Sequence, residues 1–334
     1  MSYKKTDPNE PSNETHLVKL ISLIPVPYYL GWPLVSLVFL LISSIILVLF
    51  EDKMMHIDAF FIVSAIIAME GTIISWAHHR IASFEDILIL IVDLDRDEVS
   101  KAWRRHEAEI FDDKGMLVFS IAFILFVHIA GIDYHLLSFD SHLSFISFKI
   151  GYYFAVYLES AGLYILILTA LTVYKFGEYP LRIDSLYSDF NSIGILYSKF
   201  TICAAVVYVV WGFFHIIVPP QFSSMQMILW FLSFAFLLFA YFLLPQYRIH
   251  RMMISTKREK MDLFSSQMRA VMDGSLEIPT KENANYLKDM FVVQEKLKQM
   301  SEWPFGTKEI LYLVLIIIIP LVVVLLEIAL GIIN

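Results

Sequence analysis

Cysteine is almost absent from this sequence, because the 334 residues include only Cys203. A single cysteine excludes an intramolecular disulfide, and it excludes the paired CxxC motifs of zinc and dithiol redox sites. Charged residues are also scarce, at 17% of the chain, where a typical soluble domain has about 25%. The GxSxG, GxGxxG, P-loop and HExxH motifs are missing, so the sequence carries no signature of a common hydrolase, nucleotide-binding or zinc-protease site.

Apolar residues take the place of the missing charges. They make up 58% of the chain, which includes 27 Phe and 17 Tyr, and the mean hydropathy is +0.66. The core of a soluble protein of this size does not accommodate so much apolar side chain. The composition therefore excludes a soluble enzyme and a disordered chain, and it predicts a multi-pass protein of the cell membrane.

Seven apolar segments are long enough to cross a bilayer, which requires roughly 20 helical residues. None of them has an internal Lys or Arg. Helices are expected because backbone groups in lipid must pair within the chain, and the alternating pattern of a barrel is absent. The predicted spans are residues 29–50, 57–77, 116–135, 151–174, 200–218, 226–245 and 310–333.

The basic residues collect on one side of these predicted spans. Of the 25 Lys and Arg residues, only Lys53 and Lys149 fall on the opposite side. The positive-inside rule therefore predicts a cytoplasmic N-terminus and an extracytoplasmic C-terminus. The predicted fold class is an all-α integral membrane protein with seven transmembrane helices and a cytoplasmic helical subdomain.

Four regions follow from this topology. Met and other apolar residues recur at helical spacing on both sides of Asp273-Gly274-Ser275, which predicts a helical hairpin after span 6. The arms of the hairpin either pack on each other or on segment 78–115, or they contact a second copy in a homo-oligomer or a cytoplasmic protein partner. The sequence has no uninterrupted basic stripe, so nucleic acid is not an expected partner. The lipid bilayer is an expected partner. The regions are a cytoplasmic arm and interfacial helix (1–28), a six-helix region (29–245) with cytoplasmic loops 78–115 and 175–199, the hairpin (246–308) and the seventh helix (309–334).

Five titratable residues lie inside the predicted spans. Such a residue costs roughly 2.5–3.5 kcal/mol on insertion scales, so each is a candidate for an ion or proton pathway. We expect one of them to lie nearer the cytoplasm, and the other four to share a level in the outer half of the membrane. The alternative is that each one bonds a neighbouring backbone or lines a wet interface without forming a site. The deeper residue is Glu70, and the other four are His128, Glu159, His215 and Glu327.

A metal site is a further alternative within this set. Two imidazoles and one carboxylate, from His128, His215 and Glu159, suit zinc with an open fourth position. Otherwise no cofactor is expected. Three functions therefore stay open: a channel or transporter for a small cation or proton, a sensor or scaffold that recruits partners through the hairpin, and an intramembrane metal-dependent hydrolase. The first is preferred, and a non-enzymatic role is favoured over an enzymatic one.

The layout of seven spans with a cytoplasmic N-terminus resembles that of insect chemoreceptor channels and of the progestin/adiponectin-receptor family. The resemblance covers topology alone. His128 and His215 differ in helix and spacing from the zinc-binding histidines of the receptor family, and residues 310–333 lack the last-helix signature of the chemoreceptors. The sequence therefore assigns the chain to no family.

Overall fold

The computed structural model describes residues 15–50, 56–129, 139–179, 190–217, 224–275 and 281–299, together with scattered positions between 302 and 322. This part of the chain is helical and contains no β-strand. Its helices are α1 (His16–Ser22), α2 (Tyr28–Phe50), α3 (Ile57–Ala82), α4 (Phe84–Ile91), α5 (Arg96–Ile110), α6 (Asp113–Ile129), α7 (His142–Phe176), α8 (Phe190–Ile217), α9 (Ser224–Ser275) and α10 (Lys281–Gln299).

Four helical segments among these residues are long and apolar enough to cross a membrane. They are Tyr28–Phe50, Ile57–Ile91, His142–Phe176 and Ser192–Gly212. Helix α2 illustrates this, because the apolar side chains of Leu34, Leu37, Leu41 and Ile45 are exposed along its surface. Such a surface is unfavourable in water. An exposed apolar face of this size matches lipid acyl chains. The chain is thus an all-helical protein with the properties of a membrane protein.

Helices α3 and α7 lie at the centre of the bundle. They pack on each other, α2 packs on both, α8 packs on α3, and α6 and α9 pack on α7. Buried serines join α7 to two of its neighbours: the hydroxyls of Ser43 and Ser147 lie 3.1 Å apart, and Ser160 donates to Ser120 at 2.7 Å. Small hydroxyl residues of this kind allow helices to approach closely in a membrane.

Helix α7 begins earlier than the sequence predicts. The predicted span starts at residue 151, whereas the helix starts at His142, where the Ser141 side chain accepts from the backbone N–H of Leu143. Lys149 lies in this additional part of the helix. Its ammonium group is 5.6 Å from the ring centres of Phe145 and Tyr153, and these cation–π contacts stabilise the charge. The helix is 35 residues long, and most of its extra residues precede the predicted span. The middle of α7 therefore lies closer to residue 159 than hydropathy suggests.

Helix α9 is 52 residues long and passes through Pro245 without ending. At 1.5 Å per residue it extends for about 78 Å, far more than the roughly 30 Å of a bilayer core. Its connection to the end of α7 is polar, since Arg248 donates to the Tyr174 hydroxyl at 3.1 Å and to Glu178 Oε1 at 3.0 Å. Helix α10 packs against α9. The boundaries predicted for the hairpin and the seventh span stay predictions.

A polar contact holds the chain after α10 against α9. Lys257 donates to Glu302 Oε1 at 3.0 Å, and the rings of His250 and Trp303 stack with their centres 3.7 Å apart. The hydrogen bond from Lys257 holds the pKa of the Glu302 carboxyl below its usual range. A carboxyl whose pKa is depressed in the folded state adds stability above its unfolded pKa, and that stability is lost as the pH falls through the folded value.

We therefore expect Lys257→Met to lower the melting temperature slightly at neutral pH and to have a smaller effect under acidic conditions, where the hydrogen bond of 3.1 Å from Lys257 to the Lys298 carbonyl is still lost. The exposure of Glu302 keeps the neutral-pH effect small. Melting of purified protein in detergent, measured from neutral pH down to below the carboxyl range, tests this. Lys288→Met on the exposed face of α10 is the matched control. A Lys257→Met effect that stays constant at all pH values would contradict the prediction.

Candidate functional site

A cavity of about 330 Å³ lies among α3, α6, α7, α8 and α9. Its walls are almost entirely apolar and include the rings of Phe123, Phe126 and Phe200. The polar side chains in the wall are Glu70, Glu159 and Ser233, and no Lys, Arg or His from the described ranges lines it. Two carboxyl groups thus share an apolar space that no basic side chain of those ranges neutralises.

The helical repeat brings both glutamates to this space. On α3 the lining residues after Glu70 are Ile73, Ile74 and Ala77, which follow the spacing of a single helix face. On α7 the residue one turn after Glu159 is Gly162 or Leu163, and both also line the cavity. Because α3 packs on α7, these two faces meet. The carboxyl groups are close enough to interact electrostatically.

Glu70 is the more buried of the two glutamates, with 3% of its surface exposed. Its Oε1 atom accepts a hydrogen bond of 2.9 Å from the indole N–H of Trp211 on α8. Its Oε2 atom is buried and has no hydrogen-bond partner among the residues that the structure describes. A buried carboxylate oxygen without a partner is costly, and native proteins rarely keep one without a functional reason.

Trp211 is held in place by other aromatic rings. Its indole meets Phe214 edge to face with the ring centres 5.4 Å apart, and it meets Tyr152 of α7 in the same way at 6.2 Å. Tyr152 and Phe214 stack on each other with their centres 6.2 Å apart. This cluster joins α7 to α8 and directs the indole N–H at Glu70, so the carboxyl group has one fixed donor.

The structure separates the five predicted pathway residues. Glu70 and Glu159 line one cavity, whereas the sequence places Glu70 at a different level from the rest. The earlier start of α7 accounts for the difference, because it moves Glu159 towards the middle of its helix. His128 lies exposed on α6 and is not part of the cavity wall. The side chain of His215 and the whole of Glu327 lie outside the described residues.

The zinc hypothesis stays a prediction for the same reason. Within the described ranges, no three His, Cys, Asp or Glu side chains come together in a way that would hold a metal ion. The proposed set includes His215, whose side chain is outside those ranges. The cavity itself offers two carboxyl groups and one hydroxyl, and this set lacks the nitrogen and sulfur ligands typical of zinc.

Sequence reasoning missed Trp211 and Ser233. Tryptophan in a membrane protein usually lies at the headgroup level, near the ends of a span. Trp211 instead lies near the middle of the predicted span 200–218, and that unusual position could have indicated a partner for its N–H. Ser233 carries no such signal, because isolated serines are common in membrane helices.

The chain matches no protein-family model, no curated protein and no solved structure.

Proposed function

We propose that this chain is a seven-span protein of the cell membrane that transports or conducts a small cation or a proton, with Glu70 and Glu159 as its binding groups. The N-terminus is cytoplasmic in this proposal, as the distribution of basic residues predicts. The observation that supports it best is that Glu70, whose buried Oε2 atom has no partner in the described ranges, lines a cavity together with Glu159. His128, His215 and Glu327 are candidates for the rest of the pathway.

The chemistry of the cavity supports a cation rather than an anion. An ionised carboxylate in an apolar space is stabilised only by a counter-charge or hydrogen bonds, and otherwise it takes up a proton. Among the described residues, Glu70 has one donor, Trp211, and a second carboxyl group rather than a base in the same cavity wall. Such a pair binds a proton or a cation favourably and repels an anion. Binding and release then consist of the exchange of a proton for a cation, or the reverse, at the carboxyl groups.

The position of the pair supports transport across the bilayer. Glu70 lies near the middle of α3 and Glu159 near the middle of α7. Secondary transporters place their coupling sites near the bilayer midplane, where access alternates between the two sides. A purely structural glutamate pair would gain little from that depth, because the cost of a buried charge is largest there.

Flux measurements on the purified chain in liposomes test the proposal. A pH-sensitive dye in the lumen reports proton movement under an imposed potential, and sodium and potassium are followed with ion-selective dyes. We expect Glu70→Gln and Glu159→Gln each to lower the flux about tenfold or more, since a lost charge pairing of 1.4 kcal/mol already gives that factor.

Glu259→Gln is the matched control, because Glu259 is exposed on α9 and does not line the cavity. We expect its flux to equal that of the unmodified chain. Absence of flux in the unmodified chain at every pH and potential would overturn transport as the function. Full flux in the double variant Glu70→Gln/Glu159→Gln would remove these two residues from the pathway.

A second candidate function is a sensor or scaffold that recruits a protein partner through α9 and α10. One observation favours it: Phe291, Val292 and Val293 of α10 are all exposed, and Phe291 is 52% exposed. Exposed apolar side chains on a helix outside the predicted spans favour contact with a protein over contact with water. Cross-linking in native membranes should yield a discrete partner for the unmodified chain and none for Phe291→Asp.

A further inference from the structure

We infer that the species bound in this cavity is an organic cation with an apolar body, such as a quaternary ammonium compound. The inference rests on the proposed function and deepens it by naming the substrate class. It is carried by a juxtaposition: Glu70, whose buried Oε2 atom has no partner among the described residues, and Glu159 line one cavity whose other described wall residues, apart from Ser233, are apolar.

The ligand atoms available in the cavity do not suit an inorganic ion. A calcium ion takes six to eight oxygen ligands, and magnesium keeps several waters in an octahedral shell. Among the described residues, the side chains that line this cavity offer oxygen only from Glu70, Glu159 and Ser233. A small, strongly hydrated ion would lose most of its water without replacement. A quaternary ammonium ion has no such ligand requirement, because its charge is spread over methyl groups.

The size and walls of the cavity suit an organic molecule. Its volume of about 330 Å³ lies within the range of small-molecule sites, about 300–1,000 Å³. The walls include the rings of Phe123, Phe126 and Phe200, and aromatic faces attract organic cations. An apolar body gains hydrophobic free energy in such a space, whereas a bare ion leaves most of it empty.

The cavity also has a lateral opening on the surface of the described bundle. Phe126 of α6 and Leu237 of α9 line it, and they are 55% and 53% exposed. Both helices pack on α7. A lipophilic cation, which partitions into the membrane, can reach the carboxyl groups through such an opening. A neutral acyl chain can enter by the same route, but it leaves the Oε2 atom of Glu70 without a partner.

Binding requires a defined exchange of protons. A carboxyl group that holds a proton before binding loses it, so the O–H bond breaks and the proton passes to bulk water. The carboxylate that remains pairs with the organic cation. One monovalent cation replaces one proton, so the net charge of the site stays constant and one proton is released for each cation bound to a protonated site. Proton release upon binding therefore distinguishes a cation from a neutral lipid.

Gly162 provides a way to block the space without altering either carboxyl group. A Cβ atom added there would have Ile74 Cγ1 at 3.9 Å as its nearest neighbour, which is ordinary van der Waals contact. Alanine therefore fits at this position. The longer side chain of leucine would extend into the cavity that Gly162 lines. Gly162→Leu should exclude an organic body and still leave room for a proton at Glu70 and Glu159.

Calorimetric titration of the full chain in detergent with benzyltrimethylammonium tests the inference. Neopentylbenzene, its uncharged isostere, is the matched ligand control, and two buffers with different ionisation enthalpies count the protons released. We expect saturable binding with proton release, and binding of the isostere at least about tenfold weaker. Glu70→Gln and Glu159→Gln should weaken binding by the same factor or more, and excess sodium should not compete.

Gly162→Leu should abolish binding of the ammonium probe, whereas Glu259→Gln, outside the cavity, should match the unmodified chain in both binding and proton flux. Elution profile and melting temperature confirm that each variant is folded. Proton flux without binding of the probe, or equal binding of the isostere, would overturn the organic cation and leave the proposed function in place. Binding with proton release but no flux would support the ligand and overturn transport. Neither binding nor flux would overturn both.

Discussion

Gly71→Ala is expected to lower the free energy of unfolding by about 1–3 kcal/mol, which is the usual cost of overpacking a rigid core. A Cβ atom at this position would lie within 2.6 Å of three atoms of the Trp32 indole. The indole cannot move away easily, because it is fully buried and donates to the Ser75 hydroxyl at 2.9 Å. Helices α2 and α3 would have to separate, which would also shift the face that carries Glu70.

Two other glycines provide the comparison. A Cβ atom added at Gly162 has no neighbouring atom closer than 3.9 Å. Alanine is also more favourable than glycine in a helix interior by up to about 1 kcal/mol in folding free energy. Gly162→Ala should therefore be neutral or stabilising. Gly151→Ala should be intermediate, because its Cβ would overlap the end of the Phe39 ring, which is only partly buried and can rotate.

Reversible unfolding in mixed micelles with increasing dodecyl sulfate measures all three. The expected order of stability is Gly162→Ala, then Gly151→Ala, then Gly71→Ala. The order follows from the rigidity of the neighbouring side chain rather than from the depth of the glycine. A Gly71→Ala variant as stable as Gly162→Ala would show that Trp32 is free to move, and that the contact between α2 and α3 does not fix the position of Glu70.

Hydropathy predicts the helical segments well and their ends poorly. It predicts α2 to within a residue at either end, because the apolar run and the helix coincide there. It misses the first turns of α7, because Lys149 and the polar residues before it lower the mean hydropathy while the helix continues through them. The end of span 6 at Pro245 marks the fall in hydropathy and not the end of the helix, since α9 continues to Ser275. Helix ends depend on capping and on local contacts, which a windowed average does not contain.

The same limit explains what could be predicted of the candidate site. The presence of Glu70 and Glu159 within apolar helices is visible in the sequence, and so is their cost. The sequence does not show that Glu70 and Glu159 line the same cavity, because this depends on how far α7 extends and on how α3 is rotated against it. The hydrogen bond from Trp211 depends in addition on the rotation of α8. Periodicity gives one face of a helix, but the neighbour of that face comes only from packing.

Trp211→Phe is expected to destabilise the chain by about 1–3 kcal/mol, because it removes the donor to a buried carboxyl group. Phenylalanine keeps a ring against Tyr152 and Phe214, so most of the aromatic packing remains. Glu70 would then have lost its hydrogen bond to the indole while its Oε2 atom already has no partner among the described residues. We also expect flux through the cavity to fall, since the carboxyl group is no longer held in one orientation.

A double-mutant cycle separates the hydrogen bond from the loss of ring area. Glu70→Leu removes the acceptor, so in that background Trp211→Phe should cost only the packing difference, and the two single effects should not add. The coupling energy, measured by unfolding in mixed micelles, is the value of the bond between the two side chains. Additive effects would mean that the indole N–H does not hold Glu70. If additivity were accompanied by unchanged flux in Trp211→Phe, the orientation of the carboxyl group would not matter for transport. Coupling together with reduced flux would mean that one hydrogen bond both stabilises the fold and aligns the binding group.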